Sequence, residues 1–359
     1  MRRYFAFALF LTVASGVLFG MQWYVASRTF ALLSLPFSGH VTLAVAALTL
    51  LLPLPLMLST VKWNRIVKLL VFASMIYLGA LWIAFALQIA YHPLDWLAPQ
   101  WRGAARFILP ALWAVLVAYS LFNARSLRVR EHTIRSPKLA APLKIAHISD
   151  VHLGATHDRE ALARIVKRTN ALQPDLVAIT GDLLDGTGRT TPEDIAPLND
   201  LAAPTFMVSG NHEDYAGTGK VAPLIATTKA RLLQNQAITH DGLRIIGLGN
   251  IEVGRAKRAA QILSSLDWDG ESFTLLLFHH PMSFGFLKKF PIDLHLSGHT
   301  HAGQIFPFNL LVRLLYPFDR GLHERDGRHA HVSPGTGTWG PPMRLGSRNE
   351  ITLLRLLPR

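Results

Sequence analysis

Hydrophobic residues are distributed very differently along the two parts of this chain. Residues 1–124 contain long uncharged apolar stretches, whereas short apolar runs alternate with longer amphipathic runs after about residue 143. A helix needs about 20 apolar residues to cross a hydrocarbon core of about 30 Å. The pattern therefore predicts a membrane domain over residues 1–124 with about four transmembrane helices, at Phe5–Ala26, Val41–Thr60, Leu69–Ile89 and Phe107–Ala124.

The charges near these stretches predict their orientation. The first stretch follows Arg2 and Arg3, so a cleavable signal peptide is an alternative to a span there. Lysine and arginine are enriched on the cytoplasmic side of membrane proteins. Arg28, Arg102 and Arg106 would lie on one side, and a larger set would share the other: Arg2, Arg3, Lys62, Arg65, Lys68, Arg125, Arg128 and Arg130. The chain that follows four spans is therefore predicted to be cytoplasmic.

The remainder of the chain is predicted to hold a short linker, residues 125–142, and an α/β domain over residues 143–359. The alternation of short β-branched runs with longer helical runs is typical of βα units. The predicted strands are Lys144–Ser149, Leu176–Thr180, Thr205–Ser209, Arg244–Leu248, Phe273–Phe278, Asp293–Ser297, His331–Ser333 and Ile351–Leu356. The predicted helices are Arg159–Leu172, Pro192–Leu201 and Val221–Leu232.

Polar side chains follow five of these strands at the point where each strand ends. The segments are Asp150-Val151-His152, Gly181-Asp182-Leu183-Leu184-Asp185, Gly210-Asn211-His212-Glu213, Phe278-His279-His280-Pro281 and Gly298-His299-Thr300-His301. Ligands of α/β folds gather outside the carboxyl ends of the strands. We therefore expect the five segments to converge, with glycines 181, 210 and 298 allowing sharp turns between strand and loop.

The residue types in these segments indicate a metal centre. Carboxylate, carboxamide and imidazole groups suit Mn, Fe, Zn, Ni or Mg, and the chain has no cysteine that could form a thiolate site. Seven candidate ligands are too many for one ordinary site and suit two divalent ions that share a bridging ligand. They are Asp150, His152, Asp182, Asn211, His279, His299 and His301.

From Lys144 to the C-terminus the chain resembles the calcineurin-like metallophosphoesterases. That family has the ordered blocks D-x-H, G-D-x-x-D, G-N-H-E/D, a lone H and G-H-x-H, and all five occur here in order. The segments Gly303-Gln304-Ile305 and Gly335–Arg344 are similar to a membrane-tethered bacterial subgroup, although Ala302 replaces a common glycine. The resemblance implies a four-layer α/β/β/α sandwich, preceded here by the transmembrane bundle in a bacterial inner membrane.

The resemblance also implies roles for the candidate ligands. Asp150, His152 and His301 would bind one metal ion, and Asp182 would bridge to the second. Asn211, His279 and His299 would bind that second ion. His280 is the alternative to His279, which is preferred because it lies two residues before a proline.

Other polar residues near the motifs are expected to act outside the ligand set. By resemblance, His212 would protonate the leaving oxygen or stabilise charge, and Asp185 would pair with it. Structural support is the expected role of His157 and Glu213. Arg344 would either reach a phosphate or support its loop.

The expected activity is hydrolysis of a phosphodiester, a phosphomonoester or a pyrophosphate by a two-metal mechanism. A membrane anchor favours a lipid-linked substrate at the bilayer surface. The alternative is a membrane sensor or transport-associated protein whose phosphoesterase domain binds without turnover. Nucleic acid is not favoured as a partner, because +7 of the net charge of +13 lies in residues 1–124.

Overall fold

The structure, a computed structural model, describes the backbone of residues 2–61, 64–186 and 190–359. The chain divides into two units. Unit 1 comprises Met1–Phe122 and Pro341–Met343, and unit 2 comprises Asn123–Gly340 and Arg344–Arg359.

Unit 1 is helical. Its helices are α1 (Arg2–Leu32), α2 (Gly39–Leu51), α3 (Leu54–Val61), α4 (Arg65–Leu97) and α5 (Arg102–Ala124). Three segments of the described chain are long and apolar enough to cross a membrane: Gly39–Ser59, Arg65–Leu97 and Pro99–Ala124. The predicted span Val41–Thr60 consists of two helices, since Pro53 lies between α2 and α3 and proline cannot donate a backbone hydrogen bond.

The predicted span Phe5–Ala26 lies within α1, but the side chains at positions 5–8, 10 and 11 lie outside the described residues. Lys62, one of the residues used to predict orientation, also lies outside them. Asp95, the single acidic residue of positions 1–124, is buried in unit 1. Its carboxylate accepts hydrogen bonds from Arg28 at 2.7 Å and Arg102 at 2.6 Å, which connects α1, α4 and the start of α5.

Unit 2 contains two six-stranded sheets. The first has the order β1-β12-β2-β3-β4-β5. Its strands are β1 (Leu127–Ser136), β2 (Leu143–Ile148), β3 (Leu176–Thr180), β4 (Thr205–Val208), β5 (Arg231–Leu232) and β12 (Asn349–Pro358). The second has the order β10-β11-β9-β8-β7-β6. Its strands are β6 (Gln236–His240), β7 (Leu243–Gly247), β8 (Phe273–Leu277), β9 (Leu294–Ser297), β10 (Gly321–Arg325) and β11 (Arg328–Val332).

Alternation along the strands separates the core into layers. In β2, Leu143 and Ile145 face a cluster shared by both sheets, whereas Ala146 and Ile148 face the outer side of the first sheet. Helices cover both outer sides, which makes the predicted four-layer α/β/β/α arrangement the observed one. The helices of unit 2 are α6 (Arg159–Asn170), α7 (Pro192–Ile195), α8 (Asn211–Ala216), α9 (Thr218–Ile225), α10 (Arg255–Ser264), α11 (Phe284–Leu287) and α12 (Phe308–Leu315).

The segment 125–142, predicted as a linker, instead contains β1, which pairs in parallel with β12 from Leu127 to Ser136. The strand lies at the edge of its sheet and carries charged side chains on its exposed positions. Edge strands use such charges to prevent pairing with other chains, and the charges mask the strand pattern in the sequence. The predicted helix Val221–Leu232 likewise ends earlier, at Ile225, and its last residues form β5.

Candidate metal centre

The five polar segments converge at the carboxyl ends of the strands, as the strand pattern predicted. Asp150 and His152 follow β2, Asp182 follows β3, and Asn211 begins α8 directly after β4. From the second sheet, His279 follows β8, and the loop after β9 supplies His299 and His301. All seven predicted ligands are therefore brought together from both sheets.

Asp150, His152 and His301 form the first cluster, with ligand atoms within 4.8 Å of one another. The Nε2 atoms of His152 and His301 are 3.0 Å apart, and Nε2 of His301 is 3.4 Å from Oδ1 of Asp150. All three side chains are buried. Buried ring nitrogens and carboxylate oxygens that face one another are suitable ligands for a cation, because charged and polar groups in a protein interior need binding partners.

Asp182, His279 and His299 form the second cluster, and Asn211 adjoins it. Nε2 of His279 is 3.2 Å from Oδ2 of Asp182 and 3.2 Å from Nδ1 of His299. Nδ1 of His299 is also 3.0 Å from Oδ1 of Asn211. Potential ligand atoms of Asp182, His279 and His299 thus lie within 4.8 Å of one another, and the Asn211 carboxamide oxygen lies beside them.

The two clusters meet at Asp182. Its Oδ2 atom lies 3.2 Å from His279 in the second cluster and 3.8 Å from His152 in the first. Burial alone would raise the pKa of this carboxyl, but His279 and His152 outweigh it and hold the pKa below its ordinary value. A carboxylate that stays ionised between two sets of ligands suits the predicted bridging role.

The structure favours His279 over His280 as the ligand. Nδ1 of His279 donates to the carbonyl of Thr180 at 2.8 Å, which fixes the ring and leaves Nε2 directed at Asp182. Nε2 of His280 instead bonds Oδ1 of Asn250 at 2.9 Å, and Asn250 is not one of the seven predicted ligands. The hydrogen bonds of the two rings thus support the preference for His279 over His280, which the sequence left open.

The backbone of the site is strained. Asp150, His152, Asp182, His299 and His301 all have positive φ, between 49° and 71°. Left-handed conformations of residues other than glycine cost energy and occur at functional sites where the surrounding fold imposes them. Five of the seven predicted ligands therefore adopt an unfavourable backbone conformation that the convergence of strands enforces.

The glycines of the motifs serve two different purposes. Gly181 has φ +88°, in agreement with the predicted sharp turn. Gly210 and Gly298 do not have positive φ. They are required by close approach, because a Cβ atom at Gly210 would overlap Asp182, and one at Gly298 would overlap Ser149 and Asp150. The close approach of the loops that glycine was predicted to allow is thus seen at all three positions, and a positive φ only at Gly181.

Glu213 joins the loops that carry Asp182 and Asn211. Its buried carboxylate accepts hydrogen bonds from the backbone N–H groups of Asp182 at 2.8 Å, Leu184 at 3.0 Å and Gly210 at 2.7 Å. Burial and the charge of Asp182 nevertheless raise its pKa to about 7. The structural role predicted for Glu213 is thus specific, since it holds two ligand-bearing loops together.

Arg344 is fully buried and supports the loop that carries His301. Its guanidinium donates to the carbonyls of His301 at 2.8 Å and Gly337 at 2.6 Å. It also donates to Oδ1 of Asn349 at 2.8 Å and Oγ of Ser347 at 3.1 Å. Of the two predicted roles, the structure favours loop support, because its donors are directed at protein acceptors.

His212 lies beside the first cluster, with its ring centroid 4.6 Å from that of His152. Its Nδ1 donates to the backbone carbonyl of Asp185 at 2.7 Å. The carboxylate of Asp185 is 3.6 Å from Nδ1 of His152. Asp185 was predicted to pair with His212 and to set its orientation and charge. Its carbonyl accepts the His212 bond, and its carboxylate lies within 4.8 Å of ring nitrogens of both His152 and His212.

The remaining secondary prediction concerns His157, for which structural support was expected. Its carbonyl accepts the N–H of Gly154 at 2.8 Å, within the loop after His152. Ala302, which replaces the common glycine, is fully buried with φ 51°.

Three aromatic side chains near the site were not predicted. The ring centroids of Tyr215 and Trp339 lie 5.1 Å and 6.2 Å from that of His212. The ring centroid of Tyr316 lies 5.6 Å from that of His299. Trp339 lies in the Gly/Pro-rich tail that the sequence singled out, but no local signal identifies Tyr316.

Comparison with known proteins places these features in context. A family model described as calcineurin-like phosphoesterase matches residues 143–303. An uncharacterized metallophosphoesterase of Helicobacter pylori (strain J99) is 32% identical over 295 residues, which cover 77% of this chain and 80% of that protein. A Bos taurus transmembrane protein with metallophosphoesterase domain is 33% identical over 321 residues, 79% of this chain and 71% of that protein. An uncharacterized metallophosphoesterase of Aquifex aeolicus is 32% identical over 257 residues, 67% of this chain and 96% of that protein.

Proposed function

The chain belongs to the calcineurin-like metallophosphoesterase family, and on that premise we propose a two-metal hydrolysis of phosphate esters presented at a membrane surface. Family membership confirms the resemblance inferred from the five motifs and makes the protein a hydrolase of phosphoester bonds. Relatives also carry membrane segments. The two-metal mechanism, the lipid-linked substrate and the individual site residues are the finer parts of the proposal.

The observation that carries the mechanism is the position of Asp182 between two clusters of ligands. In the proposal, Asp150, His152 and His301 hold one divalent ion and Asn211, His279 and His299 hold the other: Mn, Fe, Zn, Ni or Mg by donor type. When bound, such ions supply the Lewis acidity that activates water and neutralises phosphoryl charge. Asp182 would serve as a ligand of both ions.

His212 is the proposed general acid. The bond from Nδ1 to the Asp185 carbonyl fixes the ring and its tautomer, so Nε2 is the nitrogen that exchanges a proton. Protonated at Nε2, the imidazolium gives its proton to the oxygen of the departing alcohol or phosphate. Asp185 supports this role through its carbonyl, and its carboxylate balances positive charge beside His152. The substrate contributes the scissile P–O bond, and no covalent side-chain nucleophile takes part.

The mechanism is tested with the purified full chain, freed of metal by chelation and supplied with Mn, on bis-p-nitrophenyl phosphate. Asp182→Asn and His212→Ala should each lower turnover by about 10²–10⁴-fold. Asp326→Asn is the matched control, because Asp326 is exposed and shares the φ of 52° found at Asp182. Retained turnover in Asp182→Asn would contradict the mechanism. No turnover by the wild type with any of several metals would favour the membrane sensor.

Parallel assays distinguish the ester classes. p-Nitrophenyl phosphate reports monoesterase activity, and a lipid-linked pyrophosphate in vesicles reports the third class. Preference for the vesicle substrate over both soluble esters would support the lipid-linked part of the proposal. Equal rates on soluble and vesicle substrates would contradict that part and leave the metal mechanism intact.

The proposal assigns anchoring to residues 1–124 and hydrolysis to the domain that includes residues 143–359, on the cytoplasmic side of a bacterial inner membrane. The support is the excess of basic residues on one predicted side. The chain has no cysteine, so Asp326→Cys introduces a single thiol in an exposed turn. An impermeant maleimide should label this thiol only in permeabilised cells. Labelling in intact cells would place the domain outside.

A further inference from the structure

Exposed apolar side chains of unit 2 are concentrated in one place. Among its described residues, nine large hydrophobic side chains are exposed, and seven of them belong to residues 306–315 or are Trp339. We call these seven the apolar rim: Phe306, Phe308, Leu310, Leu311, Leu314, Leu315 and Trp339. Soluble surfaces rarely expose such a concentration of large apolar groups without a partner.

Helix α12, which carries most of the apolar rim, has a buried side and an exposed side. Asn309 and Val312 face inward and are buried. Leu310 and Leu314, one turn apart, face outward, and Leu314 is 84% exposed. Arg313 is the single charged residue of the helix. A short helix with one buried side and a nearly uncharged outer side is typical of a segment that lies in a membrane interface.

The apolar rim adjoins the metal centre at both ends of α12. At its start, Asn309 packs so closely on Gly303, two residues after His301, that a Cβ atom at Gly303 would overlap it. At its end, the ring centroid of Tyr316 lies 5.6 Å from that of His299. Both ends of α12 therefore lie beside the loop that carries His299 and His301.

A pair of hydrogen bonds connects Trp339 to Gln304, two residues before the rest of the apolar rim begins at Phe306. Gln304 donates from Nε2 to the Trp339 carbonyl at 2.8 Å and accepts the Trp339 N–H at 2.9 Å. The exposed indole lies 6.2 Å, between ring centroids, from His212. Tryptophan is enriched at membrane interfaces, where its ring contacts both apolar and polar groups.

The loop that pairs with the start of the apolar rim is bonded to Asn123, the residue at which unit 2 begins. The side-chain amide of Asn123 donates to the carbonyls of Arg344 at 2.9 Å and Ser347 at 3.0 Å. The same loop pairs with the start of the apolar rim, since Phe306 N–H donates to the Leu345 carbonyl at 2.8 Å. Asn123 is also the second-last residue of Pro99–Ala124, one of the segments able to cross a membrane.

Charges beside the apolar rim suit an anionic lipid surface. Arg313 pairs with Asp319 at 3.1 Å and Arg320 donates to the Gly346 carbonyl at 3.1 Å. Arg348 is exposed in the same loop. Three arginines therefore accompany one acidic residue, and basic residues near a bilayer are attracted to anionic headgroups.

We propose that the apolar rim inserts into the interface of the lipid bilayer and opens the metal centre toward lipid. The occupant is the boundary between headgroups and acyl chains of the membrane that anchors the protein. This inference goes beyond the proposed function, because the contact would exist whether or not the site turns over. If the substrate is lipid-linked, the apolar rim is its route of entry.

The absence of cysteine makes a direct test possible. Leu310→Cys, Leu314→Cys and Trp339→Cys variants of the full chain are each labelled with an environment-sensitive fluorophore. They are reconstituted in nanodiscs of phosphatidylcholine and phosphatidylglycerol, with and without brominated acyl chains. Glu271→Cys is the control, because Glu271 is exposed and lies before β8, at the opposite end of that strand from His279.

The expected result is several-fold stronger bromolipid quenching at positions 310, 314 and 339 than at 271. Quenching at the rim positions equal to that at 271 would overturn the proposal. Energy transfer between donor- and acceptor-labelled copies at position 314 without bromolipid quenching would also overturn it and identify a second copy as the occupant. Turnover is not measured, so this outcome is independent of the assays on phosphate esters.

Discussion

Arg344 offers the sharpest test of how the fold holds the metal centre. Its buried guanidinium donates four hydrogen bonds of 3.1 Å or shorter, and the one to the His301 carbonyl fixes a predicted ligand directly. Burial lowers the pKa of Arg344 only to about 9, so the side chain stays charged at neutral pH. The perturbation is Arg344→Lys, which keeps the charge and removes the planar fork.

The expected loss of stability follows from the number of buried acceptors that lose their hydrogen-bond donor. A lysine side chain carries all three of its N–H donors on a single nitrogen atom. It cannot reach acceptors on opposite sides of the position that the guanidinium occupies, so at least two of the four bonds are lost. Each buried acceptor left unsatisfied costs about 1–3 kcal/mol. We therefore expect Arg344→Lys to destabilise unit 2 by about 2–6 kcal/mol and to loosen the His301 loop.

The assay follows tryptophan fluorescence during thermal unfolding of the full chain in detergent, with metal content per chain measured by mass spectrometry. The variant should unfold at a lower temperature and retain less Mn. Arg348→Lys is the control, because Arg348 is exposed and four residues away. Arg344→Lys with a midpoint and metal content equal to those of Arg348→Lys would refute the assigned support role.

Three further predictions follow from the site and its surroundings. Gly298→Ala should lower metal content and turnover at least tenfold by displacing Asp150, whereas Gly285→Ala, with no contact shorter than 3.7 Å for the new Cβ, should leave both unchanged. Chelation should lower the unfolding temperature and Mn should restore it, since a ligand that binds the folded state stabilises it; an unchanged temperature would contradict a metal centre. His147 is buried between the sheets and burial lowers its pKa to about 3. As the pH falls, the unfolded state binds a proton at His147 at about pH 6.5, whereas the folded state does so only near pH 3, so this group should lower the free energy of unfolding by about 1.4 kcal/mol per pH unit between these values. In urea unfolding, His147→Gln should therefore show a weaker dependence of the free energy of unfolding on pH. An equal dependence would contradict this cause.

Local features of the sequence determined much of this protein. Three of the predicted membrane spans coincide with segments able to cross a membrane, because hydropathy over about 20 residues is a local property. The five motifs also identified every residue that converges on the two clusters. Each motif follows the end of its own strand, and three of the five contain a glycine, so their chemistry could be recognised without knowing the fold.

Other features depended on residues distant in the chain. β1 was missed because its charges are suited to a sheet edge, and its partner β12 lies more than 200 residues later. The role of Glu213 required the amide groups of the Asp182 loop, 31 residues earlier. The same holds for Gly210 and Gly298, whose missing side chains are explained by neighbours from other loops.

The sequence by itself therefore determined the membrane segments, the fold class and the candidate ligands, since these depend on composition and order along the chain. Only the tertiary structure decided which ring nitrogens meet at Asp182, what Arg344 supports and where the apolar rim lies. Hydrogen bonds act over about 3 Å in space, and the Arg344 partner His301 is 43 residues away along the chain. Such contacts exist only after the two sheets have packed together.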